Sequence, residues 1–401
     1  MGSQLKRCLA KQNTILNFVI RCTCLCTMLF SQLTNAQPTK QADIYLQDEL
    51  VDVQQVNLGL SQLDAVEHFT VFNAKANSAQ YNHGAVLFVF NERLYAQWQS
   101  SIKDEDAPET KVLYSSSLDG KTWTEPQVLA ESTKDMLITN AGWWLDNNEL
   151  IAFLNYWPYQ LKPKGGFTYF VRSRNGVDWS APKAVTDHQG KPLAGIFEQD
   201  LRHVSNKRIL TVLHKQPGLL TTPIYTDDPS ATSGWHYGEL NMPNVKPHIS
   251  QGIEPSWFTA NKGKNVTMVF RDQASSFRIL TSSSLDLGQT WSDVKTSNFI
   301  DSRAKLSAGN LPDGRAFIIN NASGSKQRFP LNIAISQDGY LFDKMYIIRG
   351  QDALPVQKYS GKYKRAGFSY PKSIVWNNAI WVSYAVNKED IAVTKIPIQA
   401  L

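Results

Sequence analysis

Three polar residues have the types and positions to transfer protons or to bind an anion. His83 follows Asn82 at the start of an apolar run, and Tyr156 and Arg172 lie 16 residues apart across one hairpin. Histidine and tyrosine side chains move protons, and arginine pairs with carboxylates. A structural interpretation is also open, since a histidine at a strand entrance, a packed tyrosine and a solvated arginine are all common.

Carboxylates form a second group of candidates. A hydrolase that acts on a neutral sugar needs two suitably placed carboxyl groups, and Glu198, Asp200, Glu254 and Asp272 are available. Turn and ion-pair roles are the commoner explanation of such residues. The sequence lacks H-E-x-x-H, a P-loop, G-x-S-x-G and a dinucleotide-binding glycine fingerprint. These absences set aside metalloproteases, NTPases and serine hydrolases.

Four short segments repeat one pattern, a serine followed by Asp or Asn, usually a glycine, and an aromatic residue. They span residues 117–123, 173–179, 284–291 and 336–342, and a degraded copy surrounds 233–235. The acidic or amide side chain caps its own turn and the glycine supplies a positive φ, which is typical of a hairpin. The segments resemble the Asp-box, or bacterial neuraminidase, repeat. That resemblance implies an all-β propeller with each box between the two outer strands of a blade.

The spacing of the boxes gives an independent estimate of the number of blades. Their starts differ by 56 and 52 residues, and a gap of 111 residues accommodates two units. Division of residues 37–401 by about 52 predicts seven blades. The last unit, from residue 373 onward, has no box, so we expect residues near 43–75 to complete its blade. No low-complexity linker interrupts residues 37–401, which we interpret as a single catalytic domain.

The first 36 residues read as a signal peptide. A basic start precedes the apolar stretch 22–33, and Thr34 and Ala36 provide the small residues before a cleavage site at Gln37. The apolar stretch is too short for the alternative, a membrane anchor. We therefore expect a secreted or periplasmic protein. All four cysteines precede residue 37, which excludes disulfides and cysteine-based sites from the predicted mature chain.

Charge and composition exclude other classes. A chain that is 42% hydrophobic and 19% charged has a core and is not disordered. Four of the 41 basic residues and none of the 35 acidic ones precede residue 37, so the remaining net charge is only +2. Nucleic-acid binding is therefore not expected. We expect no membrane contact after cleavage, and a monomer. No motif demands a cofactor, although the acidic loops 104–106 and 227–228 offer oxygen ligands for a structural Ca²⁺.

Further segments carry a second resemblance. They are similar to seven-bladed propeller enzymes that act on rhamnose–glucuronate linkages, namely ulvan lyases, rhamnosyl-glucuronate lyases and a related α-L-rhamnosidase. The segments that carry it are 81–83, 112–117, 253–256, 269–273, 308–315, 328–331, 370–376 and 386–390. The resemblance implies a lyase that cleaves an acidic, ulvan-like and sulfated polysaccharide by β-elimination.

Within that group of lyases, a histidine, a tyrosine and an arginine do the chemistry. His83, Tyr156 and Arg172 match their order. The resemblance implies that Tyr156 removes the C5 proton with help from His83, while Arg172 neutralises the uronate carboxylate. It further implies that substrate is held by Arg271, Arg328, Glu254 and Tyr370. A second histidine of the group has no counterpart in sequence, so we expect His203 or His214 to replace it in space.

Two rival interpretations remain. Asp-box propellers include exo-sialidases, which resemble a site with three arginines, a tyrosine nucleophile supported by a glutamate, and an aspartate acid/base. Arg172, Arg271 and Arg328 would form the triad and Glu254 the support, although no Arg-Ile-Pro segment is present near the start of the domain. The other rival is a non-catalytic carbohydrate-binding propeller. Its sugar-stacking candidates are Trp143, Trp144, Trp157, Tyr159 and Trp257.

Overall fold

Six sheets of four or five strands make up the protein. The computed structural model describes residues 43–205 and 207–401. We call the sheets blades 1 to 6, which comprise residues 81–131, 136–184, 195–237, 252–300, 307–349 and, for the last, 368–397 with 67–72. The all-β propeller is confirmed, but the prediction of seven blades is wrong. The predicted signal peptide and all four cysteines lie outside the described residues.

The strands of each blade follow one another in the sheet, starting at the central channel. In blade 1 they are Tyr81–Phe90, Arg93–Ser101, Lys111–Ser117 and Gln127–Glu131. In blade 2 they are Met136–Asp146, Glu149–Pro158, Phe167–Ser173 and Lys183–Ala184. In blade 3 they are Gly195–Phe197, Ile209–Lys215, Leu220–Thr226 and His236–Tyr237. In blade 4 they are Gly252–Ala260, Asn265–Asp272, Arg278–Ser284 and Lys295–Ile300. In blade 5 they are Ser307–Asn310, Ala316–Asn320, Leu331–Ser336 and Leu341–Arg349. In blade 6 they are Phe368–Trp376, Ala379–Val386, Asp390–Pro397 and Glu67–Phe72.

Several shorter elements accompany the blades. Arg202–His203 pairs with the second strand of blade 3, and Asn244–Lys246 forms a small hairpin with Ile249–Ser250. Three 3₁₀ helices span Val56–Gly59, Gln351–Ala353 and Ile398–Ala400. Among the described residues, no helix is long and apolar enough to cross a membrane.

The ring is closed by an early strand that joins the last blade. Glu67–Phe72 pairs antiparallel with Asp390–Pro397, with Phe69 opposite Val393. This confirms that residues from the predicted stretch 43–75 complete the final unit. Tyr45–Leu46 behaves differently, because it adds to the outer edge of blade 5 as a parallel strand. The closure pairs strands at both ends of the chain and so removes exposed edges from the blade.

The blade count was overestimated because two stretches are connections. Residues 47–66 form turns, the 3₁₀ helix Val56–Gly59 and the isolated bridge residue Gln62. Residues 351–366 begin with the helix Gln351–Ala353 and contain no strand. Together these connections account for most of the length that a division by 52 assigns to the additional blade.

The Asp boxes occupy the predicted position between the third and fourth strands of blades 1, 2, 4 and 5. In blade 1, Asp119 Oδ1 accepts hydrogen bonds from the backbone N–H groups of Lys121 and Thr122, at 2.8 and 2.9 Å. Ser117 Oγ accepts one from Gly120, whose φ of 73° favours glycine. The same serine-to-glycine bond recurs in the other three boxes. The boxes are therefore structural turns at the periphery.

The hydrophobic core is divided into six clusters, each between two neighbouring blades. For example, Trp98 and Trp381 are buried between blades 1 and 6, and Phe153 and Trp235 are buried between blades 2 and 3. Burial of each such side chain contributes about 1.5–3 kcal/mol relative to exposure. Because the apolar faces meet between blades, the polar residues of the first strands are left to line the channel.

Candidate active site

A cavity of about 310 Å³ opens at one end of the central channel. Side chains from the first strands of blades 1, 2, 3, 4 and 6 line it, together with residues from second strands and from connecting segments. The lining residues with groups that can take part in chemistry include His83, Asp106, Glu254, Arg271, Lys305 and Tyr370. The cavity is therefore built by residues that are far apart in sequence and that only ring closure brings together.

The first strands of four blades carry a β-bulge beside the cavity. The register shifts fall between His83 and Val86, Asn140 and Gly142, Ile253 and Ser256, and Ser369 and Lys372. At two of these bulges Glu254 and Tyr370 adopt left-handed φ values of 51° and 59°, and each precedes a proline. Such a conformation costs about 1–2 kcal/mol for a residue other than glycine. Bulges re-aim side chains, and these two carry Glu254 and Tyr370 into the cavity.

Tyr370, Glu254 and Arg271 form one hydrogen-bonded group. The Tyr370 hydroxyl donates to Glu254 Oε1 at 2.6 Å. Arg271 Nη1 donates to the Tyr370 oxygen at 2.9 Å and also contacts Glu254 Oε2. The side chains of Glu254 and Arg271 are 15% and 14% exposed, so the ion pair is largely screened from water but open on its cavity side.

Electrostatics set the protonation states of this group. Burial alone would raise the pKa of Glu254, but the charges of Arg271 and Lys305 outweigh it and lower that pKa to about 2. Burial raises the pKa of Tyr370, and the Glu254 charge raises it further. The pair is thus a neutral phenol that donates a hydrogen bond to an ionised carboxylate.

Two buried side chains next to Tyr370 have hydrogen-bonding atoms without a partner among the described residues. The His83 ring lies 4.1 Å from the Tyr370 ring, centroid to centroid, and neither of its nitrogens is hydrogen-bonded. The Arg328 guanidinium lies 5.2 Å from the same ring, and its Nη1 is unpartnered. Burial, followed by the charges of Lys388 and Arg328, lowers the pKa of His83 well below its ordinary value, so the imidazole is neutral. Unsatisfied buried donors of this kind are expected where a ligand binds.

A buried ionic network next to Glu254 also lines the cavity. Lys305 Nζ donates to Glu198 Oε2 at 2.6 Å and to Gln199 Oε1 at 3.0 Å. Glu198 Oε1 lies 3.3 Å from Nδ1 of His214, whose Nε2 accepts a hydrogen bond from the backbone N–H of Glu254 at 3.4 Å. Burial lowers the pKa of His214. The network therefore supports the strained backbone at Glu254 from behind.

The rim of the cavity is formed by the loop after the second strand of blade 1 and by blade 2. Asp106 pairs with Lys164 at 2.8 Å and has a side chain that is 42% exposed, whereas Glu105 pairs with the buried Lys388. Lys164 Nζ also lies 4.7 Å from the centre of the Trp157 ring. The rim thus carries a carboxyl group and an indole ring, and Lys164 contacts both of them.

The structure brings together only part of the residue set predicted from the sequence. His83, Arg271, Glu254 and Tyr370 line the cavity, and Arg328 lies directly behind Tyr370. The remaining three residues are elsewhere and line no part of it. Tyr156 packs on Tyr169, with ring centroids 4.3 Å apart, Arg172 pairs with Asp146 and Glu149, and the exposed His203 ring lies 5.0 Å from Trp144.

The acidic loops proposed as Ca²⁺ ligands are occupied by other partners. Asp227 pairs with Arg208, Asp106 with Lys164, and Asp104 accepts a hydrogen bond from the backbone of Lys362. Within residues 43–205 and 207–401, no group of three or more His, Cys, Asp or Glu side chains is arranged to hold a metal ion.

Comparison with known proteins places this architecture in a family. The sequence profile of the BNR repeat-like domain matches residues 92–382, and that of an N-terminal beta propeller matches residues 44–137. The chain belongs to the BNR repeat-like domain family. This assignment agrees with the Asp boxes and the propeller, while the narrower resemblance to rhamnose–glucuronate lyases is not confirmed. No curated protein matches the sequence.

Solved structures with similar folds include sialidases. A protein described as "Sialidase" is 20% identical with a TM-score of 0.58, over 89% of this chain and 35% of its own. This BNR-family chain therefore spans about a third of that sialidase. A protein of unknown function from Dyadobacter fermentans is 17% identical with a TM-score of 0.64, over 83% and 100% of the two chains. Trypanosoma rangeli sialidase with 2,3-difluorosialic acid, a covalent intermediate, is 10% identical with a TM-score of 0.60, over 85% and 60%. At these identities the likeness shows the fold alone.

Some site residues had a signal in the sequence that was not used. Pro255 and Pro371 each interrupt an apolar strand directly after Glu254 and Tyr370. Because proline within a strand requires an edge or a bulge, this pattern marks both positions as irregular. In the sequence, Asp106 stands out only as part of the acidic loop 104–106, which offers oxygen ligands for Ca²⁺. Lys305 was not singled out, and its only signal is a charge between the apolar Ala304 and Leu306.

Proposed function

We propose that this BNR-family propeller is a retaining glycosidase of the sialidase type, which removes a terminal sugar whose carboxylate is attached to the anomeric carbon. The observation that carries the proposal is the 2.6 Å hydrogen bond from the Tyr370 hydroxyl to Glu254 at the base of the cavity. The proposal is the sialidase alternative recognised in the sequence, with Tyr370 now identified as the candidate nucleophile.

A tyrosine nucleophile suits a carboxylated reaction centre. A glutamate or aspartate would approach the anomeric carbon as an anion and would be repelled by a carboxylate on that carbon. A neutral phenol avoids that repulsion, and Glu254 becomes the acceptor of its proton during attack. Sialidases are the glycosidases known to use a tyrosine in this way.

The bound carboxylate would be held beside the nucleophile. Arg271 Nε and Arg328 Nη1 are buried N–H groups without hydrogen-bond partners among the described residues. Arg271 also contacts the Tyr370 oxygen, so an anion paired with this arginine lies close to the reacting oxygen. This proximity favours a carboxylate on the anomeric carbon over one on the far side of the ring.

The proposed reaction proceeds in two steps. Tyr370 Oη bonds to the anomeric carbon as its proton passes to Glu254, and the bond to the leaving oxygen breaks. Asp106 gives that oxygen a proton, which it takes up from solvent after its ion pair with Lys164 is broken on substrate binding. Asp106 is proposed for this role because it is the partly exposed carboxyl group at the open rim. In the second step Asp106 takes a proton from water, whose oxygen replaces Tyr370 at the anomeric carbon, and Glu254 returns the proton to the phenol.

The size of the cavity supports removal of one terminal sugar. Its volume of about 310 Å³ is at the lower end of the range found for small-molecule sites, which extends from ~300 to ~1,000 Å³. The lyase interpretation finds less support, because it needs Tyr156 and Arg172 at the substrate, and neither residue lines the cavity. A purely binding role gives no reason for a strained Tyr370 paired with Glu254.

The test is covalent trapping. We would incubate the protein with 2,3-difluorosialic acid and with the corresponding difluoride of a shorter 2-keto sugar acid, and measure intact mass and the modified peptide. An adduct on Tyr370 that is absent in Tyr370→Phe supports the proposal. Hydrolysis of aryl 2-keto acid glycosides should accompany it. Release of unsaturated uronate from ulvan, seen as absorbance near 235 nm without any adduct, would overturn the proposal in favour of the lyase.

A further inference from the structure

A second cavity, of about 770 Å³, lies close to the candidate active site and carries only positive charge. Its walls come from three segments, and the lining residues are Val53, Gln54, 323–327, Phe329, Arg365 and Ala366. Lys326 and Arg365 are the charged residues among them, and none of the acidic residues within 43–205 and 207–401 lines it. We call this cavity the basic groove.

The backbone links the basic groove directly to the wall behind Tyr370. Arg328 and Gly367 form an isolated parallel bridge, and the Phe368 N–H donates to the Arg328 carbonyl at 2.8 Å. Arg328 immediately precedes Phe329 of the groove, and Arg365 lies two residues before Gly367. The same two segments therefore supply one wall of the groove and the guanidinium next to Tyr370.

The positive charge in this region exceeds what nearby carboxylates neutralise. Among the described residues, the side chains of Arg303, Arg328 and Arg365 make no ion pair. The Arg303 side chain donates to Gln273 Oε1 at 3.2 Å, and its backbone N–H donates to Asp301 Oδ2 at 3.2 Å. Burial lowers the pKa of Arg303 and of Arg328, and the charges of Arg271 and Arg365 lower both further. Asp272 opposes this shift at Arg303, and Tyr370 and Glu254 oppose it at Arg328, but the pKa of both arginines stays lowered. Like charges held this close destabilise the free protein, and a bound anion removes that cost.

A single substrate carboxylate does not account for the whole cluster. Arg271 and Arg328 face the anion proposed above, next to Tyr370. Lys326 and Arg365 are exposed in the groove, beyond Arg328 along the two linked segments. A second anionic group in the groove would pair with these cations.

We propose that the basic groove binds a second carboxylate or sulfate group of an acidic glycan. This group is on the sugar next to the terminal sugar that the enzyme removes. The identity of the cleaved sugar rests on the proposed function, whereas the groove's preference for anions does not. In this arrangement the enzyme selects a polyanionic chain over one with a single acidic end.

The experiment compares two double variants. Lys326→Ala/Arg365→Ala removes the cations of the groove, and Lys207→Ala/Lys262→Ala removes two exposed lysines that line a different surface cavity of about 540 Å³. Both pairs are exposed, so neither is expected to disturb folding. The probes are short oligogalacturonates, sulfated dextran oligosaccharides and neutral dextran oligosaccharides, measured by calorimetry at low and high salt.

We expect the wild type to bind both anionic probes and not neutral dextran, with affinity that falls as salt rises. The groove variant should bind them at least about tenfold more weakly, and the control variant within twofold of wild type. Equal binding by the groove variant and wild type, or no binding of any anionic probe by wild type, would overturn the inference.

Activity separates this inference from the proposed function. An aryl glycoside with one carboxylate does not reach the groove, so its hydrolysis should be the same in wild type and in the groove variant. If no glycoside is hydrolysed but anion binding is lost in the groove variant, the proposed function fails and the groove stands. If hydrolysis is present and anion binding is unchanged in the groove variant, the groove fails and the proposed function stands.

Discussion

The Tyr370 hydroxyl and Glu254 Oε1 are 2.6 Å apart, although 116 residues separate them in sequence. Tyr370 lies on the first strand of blade 6 and Glu254 on that of blade 4, and each adopts a left-handed φ at a bulge. Two independent bulges hold these side chains against each other at the base of the cavity. Backbone strain at two positions that together hold one side-chain contact is typical of a functional site.

Replacement of Tyr370 by phenylalanine tests this contact directly. Tyr370→Phe removes the nucleophilic oxygen and leaves the ring that packs on His83, so kcat on aryl 2-keto acid glycosides should fall by about 10³-fold or more. Substrate affinity should change only a few-fold. The control is Tyr114→Phe, which loses a 2.6 Å hydrogen bond to Gln127 in blade 1 and should keep full activity. Activity of Tyr370→Phe near that of wild type would exclude the phenol as nucleophile.

The role of Asp106 is tested by the leaving group. If Asp106 donates the proton to the departing oxygen, Asp106→Asn should slow substrates with poorly acidic leaving groups by about 10²- to 10⁴-fold. Substrates with a nitrophenol leaving group need little protonation and should be affected much less. Glu109→Gln in the same loop is the matched control, since Glu109 does not line the cavity. An equal loss on both classes of substrate would instead assign Asp106 to binding, through its ion pair with Lys164.

The peripheral architecture was predictable because its signals are local. Each Asp box satisfies its own turn, as Asp119 does with the N–H groups of Lys121 and Thr122, so a seven-residue pattern is sufficient to recognise it. The number of blades is not determined by a local sequence signal. It depends on whether residues such as Tyr45 and Leu46 complete a blade or add to the edge of another, and both outcomes are consistent with their composition.

The candidate site was only partly predictable for a related reason. Arg172 has the right residue type, but it is on the third strand of its blade, where Asp146 and Glu149 neutralise it at 3.3 Å. Position within the blade decides whether a polar side chain meets the channel, and strand order is needed to know it. Tyr370 and Glu254 carried a usable signal in the prolines that follow them, since a proline in an apolar strand implies a bulge.

The buried ion pair behind Glu254 should be important for stability. Lys305 and Glu198 have side chains that are 6% and 7% exposed. Lys305→Met leaves Glu198 buried without its cation and should reduce the free energy of unfolding by about 3–5 kcal/mol. The double variant Lys305→Met/Glu198→Gln should recover much of that loss in urea denaturation. Lys111→Met, which breaks an exposed pair with Glu131, should cost less than about 1 kcal/mol.

An additive result would contradict the coupling of Lys305 and Glu198. If the loss of unfolding free energy in the double variant equalled the sum of the losses in Lys305→Met and Glu198→Gln, each side chain would act through separate contacts. The two residues would then not be a pair whose charges compensate each other.

Asp301 should make the protein less stable as pH rises through the weakly acidic range. It is 1% exposed, and burial raises its pKa to about 6, against hydrogen bonds from Asn320 and nearby backbone. Because the folded state holds this proton more tightly than the unfolded state, whose pKa is near 3.8, the Asp301 contribution falls between about pH 4 and pH 6. Asp301→Asn should remove that dependence and raise stability at pH 7 by at most about 3 kcal/mol.

An acid with the opposite shift supplies the control. Asp338, in the Asp box of blade 5, accepts hydrogen bonds from the backbone N–H groups of Tyr340 and Leu341 and from the Ser336 hydroxyl. Burial alone would raise the pKa of Asp338, but these hydrogen bonds outweigh it and lower the pKa below its ordinary value. Its stabilising contribution is present above the unfolded pKa and is lost as pH falls below it. Asp338→Asn should therefore destabilise the protein at pH 7 and matter less at pH 3. Urea denaturation of both variants from pH 3 to pH 8 measures the two slopes, and equal slopes for wild type and Asp301→Asn would show that folding does not raise the pKa of Asp301.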